Sequence, residues 1–303
     1  MNRDEFTNQE LTIGVGSGHK LWVMDWGNKD AKTPIVFLHG GPGSQVKDKH
    51  KIVFDPKVHR VIFFDQRGCG KSTPLGSREN NNTQELAKDI TKIAKHLKIS
   101  KFYLTGGSWG STLALYYAIS YPEMLAGLVI SGVWSGSKNE VYKMYDAAKT
   151  FYPDLWERVL SDTPAEYLDD PMMYHLDKAL NGTKAEQKKS SYVMGCLEGG
   201  MMRLDDRDMP EIYDEYDPTS MQMELAYVAT NCFMPEDYIL DKANQIRMPV
   251  YIVQGRFDMV CPPDFAYRIS KLIPDCKLYM AISNHAGEHE VTSLLRAIFD
   301  SLK

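Results

Sequence analysis

Residues 102–110, which read Phe-Tyr-Leu-Thr-Gly-Gly-Ser-Trp-Gly, decide the fold. The apolar run at 102–105 is typical of a buried strand, and residues 111–120 have the composition of a helix. A G-x-S-x-G turn between a strand and a helix holds its serine on a strained elbow that exposes the hydroxyl. Small residues are needed on both sides, because strand and helix pack closely there. The stretch therefore predicts that Ser108 is a nucleophile in an α/β fold.

The segments around this motif alternate between strand and helix patterns. Residues 9–26 turn at 16–18 and resemble an opening hairpin. Residues 83–97 carry apolar side chains at helical spacing, with Thr83 as the expected N-cap. Short apolar runs that predict further buried strands lie at 35–38, 61–64, 126–131, 250–254 and 277–282. This rhythm predicts a mostly parallel central sheet that is flanked by helices on both faces.

The middle of the chain follows a different pattern. From residue 135 to residue 240 the strand-like runs disappear, and helical stretches rich in Met, Tyr, Asp and Glu are interrupted by prolines. We therefore predict an α/β core in two parts, residues 1–134 and 241–303, with a helical lid inserted at residues 135–240. A lid over a core creates a cleft where a ligand can bind.

A serine nucleophile needs a base, and the base needs a group that orients it. On this fold the chain order is Ser, then Asp or Glu, then His. Asp258 and His285 each follow a predicted strand, where ligand chemistry collects in open α/β sheets. We assign Asp258 as the orienting acid and His285 as the base. Asp264 and His289 are the rival candidates, but both are expected on the helices that follow.

Two backbone N–H groups should stabilise the oxyanion of the tetrahedral intermediate. One comes from the residue after the nucleophile, here Trp109. The other comes from the glycine-rich loop at residues 39–43, where we favour Gly41 and keep Gly40 as the alternative. His39 is interpreted as a scaffold group. No cluster of His, Cys and carboxylate residues predicts a metal site, and no cofactor is expected.

Charge and composition exclude several other classes of protein. The chain has 303 residues and a net charge of -5, without a block of basic residues, so a nucleic acid partner is not expected. No stretch approaches the roughly 18 apolar residues of a membrane span. The N-terminus lacks the pattern of a secretion signal, and the 5 cysteines are scattered. We expect a cytoplasmic protein that does not bind membranes and acts as a monomer.

Four blocks together resemble the proline iminopeptidase (prolyl aminopeptidase) family, a branch of the α/β-hydrolases. The blocks are residues 37–43, 64–72, 106–115 and 253–263, and the likeness covers roughly residues 10–135 and 245–290. The resemblance implies an α/β-hydrolase fold without a cofactor. It also implies release of an N-terminal residue, typically proline, from small peptides through an acyl-enzyme.

The resemblance also concerns acidic lid residues that hold the free amino terminus of the substrate. Glu198 matches one of them, although Leu197 replaces the family's tryptophan. The second acid has no counterpart at residues 228–233, and Glu224 is the nearby candidate to replace it. A missing acid would favour an alternative, an esterase or small-amide hydrolase with the same triad. A third alternative, a ligand-binding protein without catalysis, has no need of three intact catalytic groups.

Overall fold

A single eight-stranded sheet forms the centre of the protein. The computed structural model describes residues 3–203, 213–287 and 289–302. The strands are β1 Thr7–Gly16, β2 His19–Gly27, β3 Ile35–Leu38, β4 Arg60–Phe64, β5 Phe102–Ser108, β6 Leu125–Val133, β7 Val250–Gly255 and β8 Cys276–Ala281. Their order across the sheet is β1-β2-β4-β3-β5-β6-β7-β8. All of the predicted strands are present, and β8 ends at Ala281 because Ile282 turns out into solvent.

The strand directions explain why the apolar runs differ in length and burial. The β1–β2 hairpin and the β2–β4 pair are antiparallel. All other neighbouring pairs, across the sheet in the order β4-β3-β5-β6-β7-β8, are parallel. Strands of a parallel sheet are buried on both faces and are therefore apolar throughout. Residues 61–64 of β4 and 250–253 of β7 are apolar without interruption, whereas β1 at the edge alternates between buried and exposed residues near its end.

Ten helices accompany the sheet in the described part of the chain. They are α1 Thr83–His96, α2 Trp109–Ser120, α3 Lys138–Phe151, α4 Pro153–Ser161, α5 Pro171–Asn181, α6 Lys184–Met202, α7 Thr219–Ala229, α8 Tyr238–Lys242, α9 Pro263–Leu272 and α10 His289–Ser301. Helices α1, α2 and α9 pack on one face of the sheet, and α10 packs on the other. None of the helices in the described residues is both long and apolar enough to cross a membrane.

Two helix starts differ from the sequence prediction. The N-cap of α1 is Asn82 and not Thr83, because the Asn82 side chain accepts a hydrogen bond from the Glu85 N–H at 2.9 Å. Thr83 is the first helical residue instead, and its hydroxyl donates to the carbonyl of Cys232. Helix α2 begins at Trp109, directly after the serine, and not at residue 111.

The segment between β6 and β7 contains α3 to α8, and its described residues include no strand. The end of this segment is fastened to the core at Asn231, Cys232 and Phe233, which all have positive φ angles. The Gln84 side chain donates to the carbonyl of Phe233 at 2.7 Å, and the Lys138 N–H donates to the Asn231 side chain at 2.9 Å. The Gln84 bond connects the segment to the start of α1, and the Lys138 bond joins two parts of the segment itself.

Candidate active site

Ser108 lies at the sharp turn between β5 and α2. Its backbone has φ 55° and ψ -128°, which is a strained conformation for a residue with a side chain. Gly106 and Gly110 permit the turn. A Cβ atom at Gly106 would approach the Leu38 carbonyl oxygen to 2.8 Å, and one at Gly110 would collide with the same oxygen. The sequence therefore folds into the elbow because glycine occupies both close approaches.

We expect Gly110→Ala to damage both stability and activity. The added methyl group meets the Leu38 backbone, so β3 and the glycine-rich loop after it must shift. Overpacking of this kind costs about 1–3 kcal/mol of the free energy of unfolding, and a displacement near 1 Å lowers kcat/KM roughly 10²-fold. Thermal unfolding and p-nitrophenyl acetate turnover measure the two effects. Gly14→Ala is the control, because no atom lies within 4 Å of its added Cβ; an equal effect of both changes would contradict the argument.

Asp258 and His285 meet at the carboxyl end of the sheet. The Nδ1 atom of His285 lies 2.9 Å from Oδ2 and 3.0 Å from Oδ1 of Asp258. Asp258 follows β7 and His285 follows β8, so two neighbouring parallel strands bring them together. Asp258 is 1% exposed and the His285 side chain 5%, which keeps competing water away from the pair. This arrangement fits a base and the acid that orients it.

Three further donors hold the Asp258 carboxylate. The N–H groups of Val260 and Cys261 donate to Oδ1 at 3.1 and 2.7 Å, and the Gln254 side chain donates to Oδ2 at 3.1 Å. Gln254 in turn accepts from the Val133 N–H at 2.8 Å. Hydrogen bonds to a carboxylate favour its charged form. The network therefore presents a fixed negative charge to the imidazole.

The electrostatic surroundings of His285 favour its protonated form. Burial lowers the pKa of the imidazole, but the charge and hydrogen bond of Asp258 and the charge of Glu198 outweigh it. The net result is a pKa above the ordinary value of 6.5. A base works only when it is unprotonated, so activity that depends on His285 should fall as the pH drops through this raised pKa.

Ser108 and His285 line one cavity, but no hydrogen bond joins the serine hydroxyl to the imidazole among the described contacts. The hydroxyl instead contacts the thiol of Cys261, whose pKa burial raises well above its usual value. Catalytic hydrogen bonds are often long before substrate binds and tighten in the complex. A rotation of the serine side chain is thus part of reaching the reactive arrangement.

In the described part of the chain, the rival residues are not bonded to the Asp258–His285 pair, although His289 lines the same cavity. Asp264 is in the first turn of α9 and forms an ion pair with Lys143 at 2.5 Å. His289 is the first residue of α10 and is exposed. Neither makes a hydrogen bond to Ser108 or His285 within the described ranges.

The glycine-rich loop is tied to the start of α2. Buried His39 bonds the Gly40 carbonyl through Nδ1 at 3.0 Å and accepts from the Gln66 N–H through Nε2 at 3.0 Å. The Gln66 side chain bonds the His39 carbonyl and accepts from the Trp109 indole N–H at 2.8 Å. Burial lowers the pKa of His39, so a neutral imidazole serves both contacts. Gly41 lines a cavity together with Ser108, and a Cβ on Gly40 would lie 3.4 Å from the Ser108 Cβ.

Two cavities meet at Ser108. The wider one, about 510 Å³, includes Asp258 and His285 in its wall, and we call it the histidine cavity. The narrower one, about 40 Å³, we call the carboxyl pocket. Its walls are Gly41, Ser108, Trp134, Val141, Met144, Tyr145, Met194, Glu198, Met221, Glu224, Leu225, Val228, Val260 and Cys261. Three of these are methionines, whose flexible side chains can move to admit a ligand.

Glu198 and Glu224 meet in the carboxyl pocket. Glu198 comes from α6 and Glu224 from α7, and their side chains are in hydrogen-bond contact. Burial, together with the charge and hydrogen bond of Glu198, raises the pKa of Glu224 well above its ordinary value of 4.5. No lysine or arginine in the described part of the chain acts on Glu224. The pocket therefore holds two acids without a cation beside them.

The structure brings together Glu198 and Glu224, the two acidic candidates named from the sequence. Residues 228–233 carry no acid, and Glu224 lies one helical turn before them on α7. The position of Glu224 on a helix whose Leu225 and Val228 face the same pocket could have indicated its contact with Glu198. Within the described ranges, no group of three or more His, Cys, Asp or Glu side chains is arranged to hold a metal ion.

Comparisons with known proteins agree with this geometry. The sequence pattern of the alpha/beta hydrolase fold family matches residues 33–287. A probable proline iminopeptidase of Leptolyngbya boryana is 34% identical over 97% of this chain and 92% of that protein. The proline iminopeptidase of Neisseria meningitidis serogroup B is 31% identical over 96% and 95%.

Solved structures share the fold at lower identity. Proline iminopeptidase of Mycobacterium smegmatis superposes with a TM-score of 0.65 at 20% identity, over 96% of both chains. An esterase of Exiguobacterium antarcticum gives 0.62 at 19% identity, over 97% of this chain and 98% of its own.

Fold, elbow and family match together define an α/β-hydrolase, and the predicted fold class is confirmed. Within that class, the chain belongs to the proline iminopeptidase family.

Proposed function

We propose that the protein is an aminopeptidase that releases an N-terminal residue, preferably proline, from small peptides through an acyl-enzyme on Ser108. The observation that carries this proposal is the contact between Glu198 and Glu224 in the pocket that Ser108 lines. A charged amino terminus buried without a partner is costly, and paired carboxylates compensate it. An amine held there brings the carbonyl of its own residue next to the serine.

The first chemical step uses the candidate triad. The Ser108 oxygen attacks the carbonyl carbon after the N-terminal residue, while Nε2 of His285 takes the hydroxyl proton. Asp258 holds Nδ1 and stabilises the imidazolium that forms. The N–H groups of Trp109 and Gly41, with Gly40 as the alternative to Gly41, stabilise the oxyanion. The imidazolium then gives its proton to the departing peptide nitrogen.

The second step releases the residue. Water attacks the acyl-enzyme, His285 takes a proton from it, and the free amino acid leaves while Ser108 is reprotonated. In this scheme the N-terminal residue occupies the carboxyl pocket, and the rest of the peptide lies toward the histidine cavity. The helical segment of residues 135–240 acts as the lid that provides the acids.

Glu224→Gln should impair only substrates that carry a free amine. Loss of a charge-assisted hydrogen bond of about 1–3 kcal/mol lowers kcat/KM for proline p-nitroanilide roughly 10- to 100-fold. Turnover of p-nitrophenyl acetate should stay within about twofold, because Glu224 does not act on His285. Parallel steady-state kinetics on both substrates measure the difference.

Glu166→Gln, at an exposed residue of the same helical segment, is the matched control and should change neither rate. Equal losses on both substrates would mean that Glu224 supports the fold and not the amine. Wild-type turnover of the ester alone would favour the second candidate.

That second candidate is an esterase or small-amide hydrolase of the same mechanism. It is supported by the largely apolar wall of the carboxyl pocket and by Leu197 in place of the family's tryptophan.

We further propose a cytoplasmic monomer that takes small peptides. Five free cysteines are consistent with that compartment.

A further inference from the structure

We propose that Glu198 and Glu224 share one proton in the free protein, and that the charged amino terminus of the substrate displaces this proton. The inference rests on the proposed aminopeptidase function and adds how the amine site is regulated. It makes recognition of the amine dependent on pH, independently of the catalytic base.

Contact between the two carboxyl groups in the carboxyl pocket supports the shared proton. Two carboxyl groups in hydrogen-bond contact have only acceptor atoms when both are ionised, so one must carry a hydrogen to form the bond. Their like charges in a buried pocket add a repulsion that ionisation of both would have to overcome. Burial and the neighbouring Glu198 raise the pKa of Glu224, so this acid keeps a proton to a higher pH than an ordinary carboxyl group does.

Within the described residues, the tyrosines and cysteines that face the pair supply no neutralising charge. Tyr145 from α3 and Tyr216 from the loop before α7 are buried next to both acids, and burial raises the pKa of each phenol. Cys232 faces Glu224, and Cys261 faces Glu198; burial raises the pKa of both thiols as well. These four groups are therefore neutral at physiological pH, and none of them carries a negative charge that a bound amine would neutralise.

His285 is a further titratable neighbour of the pair in the described part of the chain. Its imidazole interacts with Glu198, and its protonated form is favoured. An approaching ammonium ion could expel a proton from this imidazole as well as from the carboxyl pair. The test must therefore separate the two sources.

An ammonium ion beside the pair lowers the affinity of the pair for its proton, because an opposite charge favours the ionised acid. By linkage, the free pair holds more protons than the occupied one, so affinity for the amine rises with pH. The slope reaches about tenfold per pH unit for one displaced proton. The rise ends where the amine itself deprotonates, near pH 8 for an α-amino group. An acyl group without an amine should not follow this dependence.

Calorimetric titration of the Ser108→Ala protein with L-prolinamide tests the displacement without turnover. At about pH 6 the amine is charged, and the heat of binding measured in two buffers with different ionisation enthalpies counts the protons released. We expect release of up to one proton per ligand, with no release for the amine-free analogue cyclopentanecarboxamide. When Glu224→Gln or Glu198→Gln is combined with Ser108→Ala, the proton release should disappear. When His285→Gln is combined with Ser108→Ala, the release should remain.

The outcomes are distinct. Prolinamide binding without proton release at any pH from about 5 to 8 would overturn the inference and leave the amine site standing. Release that vanishes in His285→Gln would assign the proton to the imidazole and also overturn it. Equal binding of both amides would overturn the proposed function and the displacement together.

Infrared spectroscopy provides a check that does not depend on any ligand. A shared proton contributes to the C=O stretching band of protonated carboxyl groups at neutral pH. This contribution should be lost in Glu224→Gln and kept in Glu166→Gln, whereas Glu140, whose pKa burial raises to about 7, absorbs in the same band in both variants. Absence of this contribution from the parent protein would overturn the inference. The Gln variants should fold, because they remove a like-charge repulsion and keep the shape of the side chain; their thermal unfolding verifies this.

Discussion

Ser108→Ala is expected to lower kcat/KM for proline p-nitroanilide and for p-nitrophenyl acetate by at least about 10⁴-fold. The serine oxygen is the atom that forms the acyl-enzyme, and nothing else in the described walls of either cavity replaces it: the Cys261 thiol next to it is buried, with a pKa raised well above its usual value. Both substrates should be affected equally, because the serine acts before any difference in the leaving group matters.

Covalent labelling makes this prediction independent of the choice of substrate. A fluorophosphonate probe should label the wild-type protein once, at Ser108, and leave Ser108→Ala unlabelled. Ser111→Ala is the matched control, since Ser111 lies one turn further along α2 and lines neither of the described cavities; its hydroxyl donates to the Ser108 carbonyl at 2.6 Å and accepts from the Trp134 N–H at 3.2 Å. Turnover that survives in Ser108→Ala, or labelling at another residue, would overturn the assignment of the nucleophile.

Asp258→Asn should reduce kcat by roughly 10⁴-fold while leaving binding nearly unchanged. An amide has one acceptor oxygen, whereas this carboxylate accepts from the imidazole and from three further donors. The amide N–H₂ group would face one of those donors or turn the imidazole to the wrong tautomer. The loss should therefore appear in kcat and not in KM, which steady-state kinetics separates.

Asp264→Asn provides the comparison for Asp258→Asn. Asp264 lies six residues later and pairs with exposed Lys143, so its replacement should leave kcat within about twofold, as expected for a surface ion pair. A small effect of Asp258→Asn, or a large effect of Asp264→Asn, would mean that the orienting acid has been misassigned.

Local sequence patterns were sufficient for most of the fold. The run at 35–38 corresponds to the whole of β3, because strands buried on both faces are apolar from end to end. The N-cap of α1 was placed one residue too late, since Asn82 and Thr83 are both good capping residues and only the bond to the Glu85 N–H decides between them. The order of the strands across the sheet, with β3 between β4 and β5, depends on tertiary pairing that no local pattern contains.

The candidate site also has one part that local sequence patterns predict and another part that depends on tertiary packing. Ser108, Asp258 and His285 follow strands whose ends could be read from the sequence, so their convergence was predictable from the sheet. The contact between Glu198 and Glu224 was not, although the sequence named both residues, because it depends on the packing of α6 against α7. The histidine cavity has walls from both core parts and from Met202 and Arg203 of the helical segment, so its shape depends on tertiary packing.

The positive φ angle of Ser108 has a consequence for how this protein can change. A strained backbone of this kind costs about 1–3 kcal/mol, and glycine, which tolerates positive φ, would relieve it. The most stabilising substitution at this position is therefore also one that removes the nucleophile. Selection for thermal robustness and selection for turnover oppose each other at a single residue, so improvements in robustness have to be found at positions remote from the elbow.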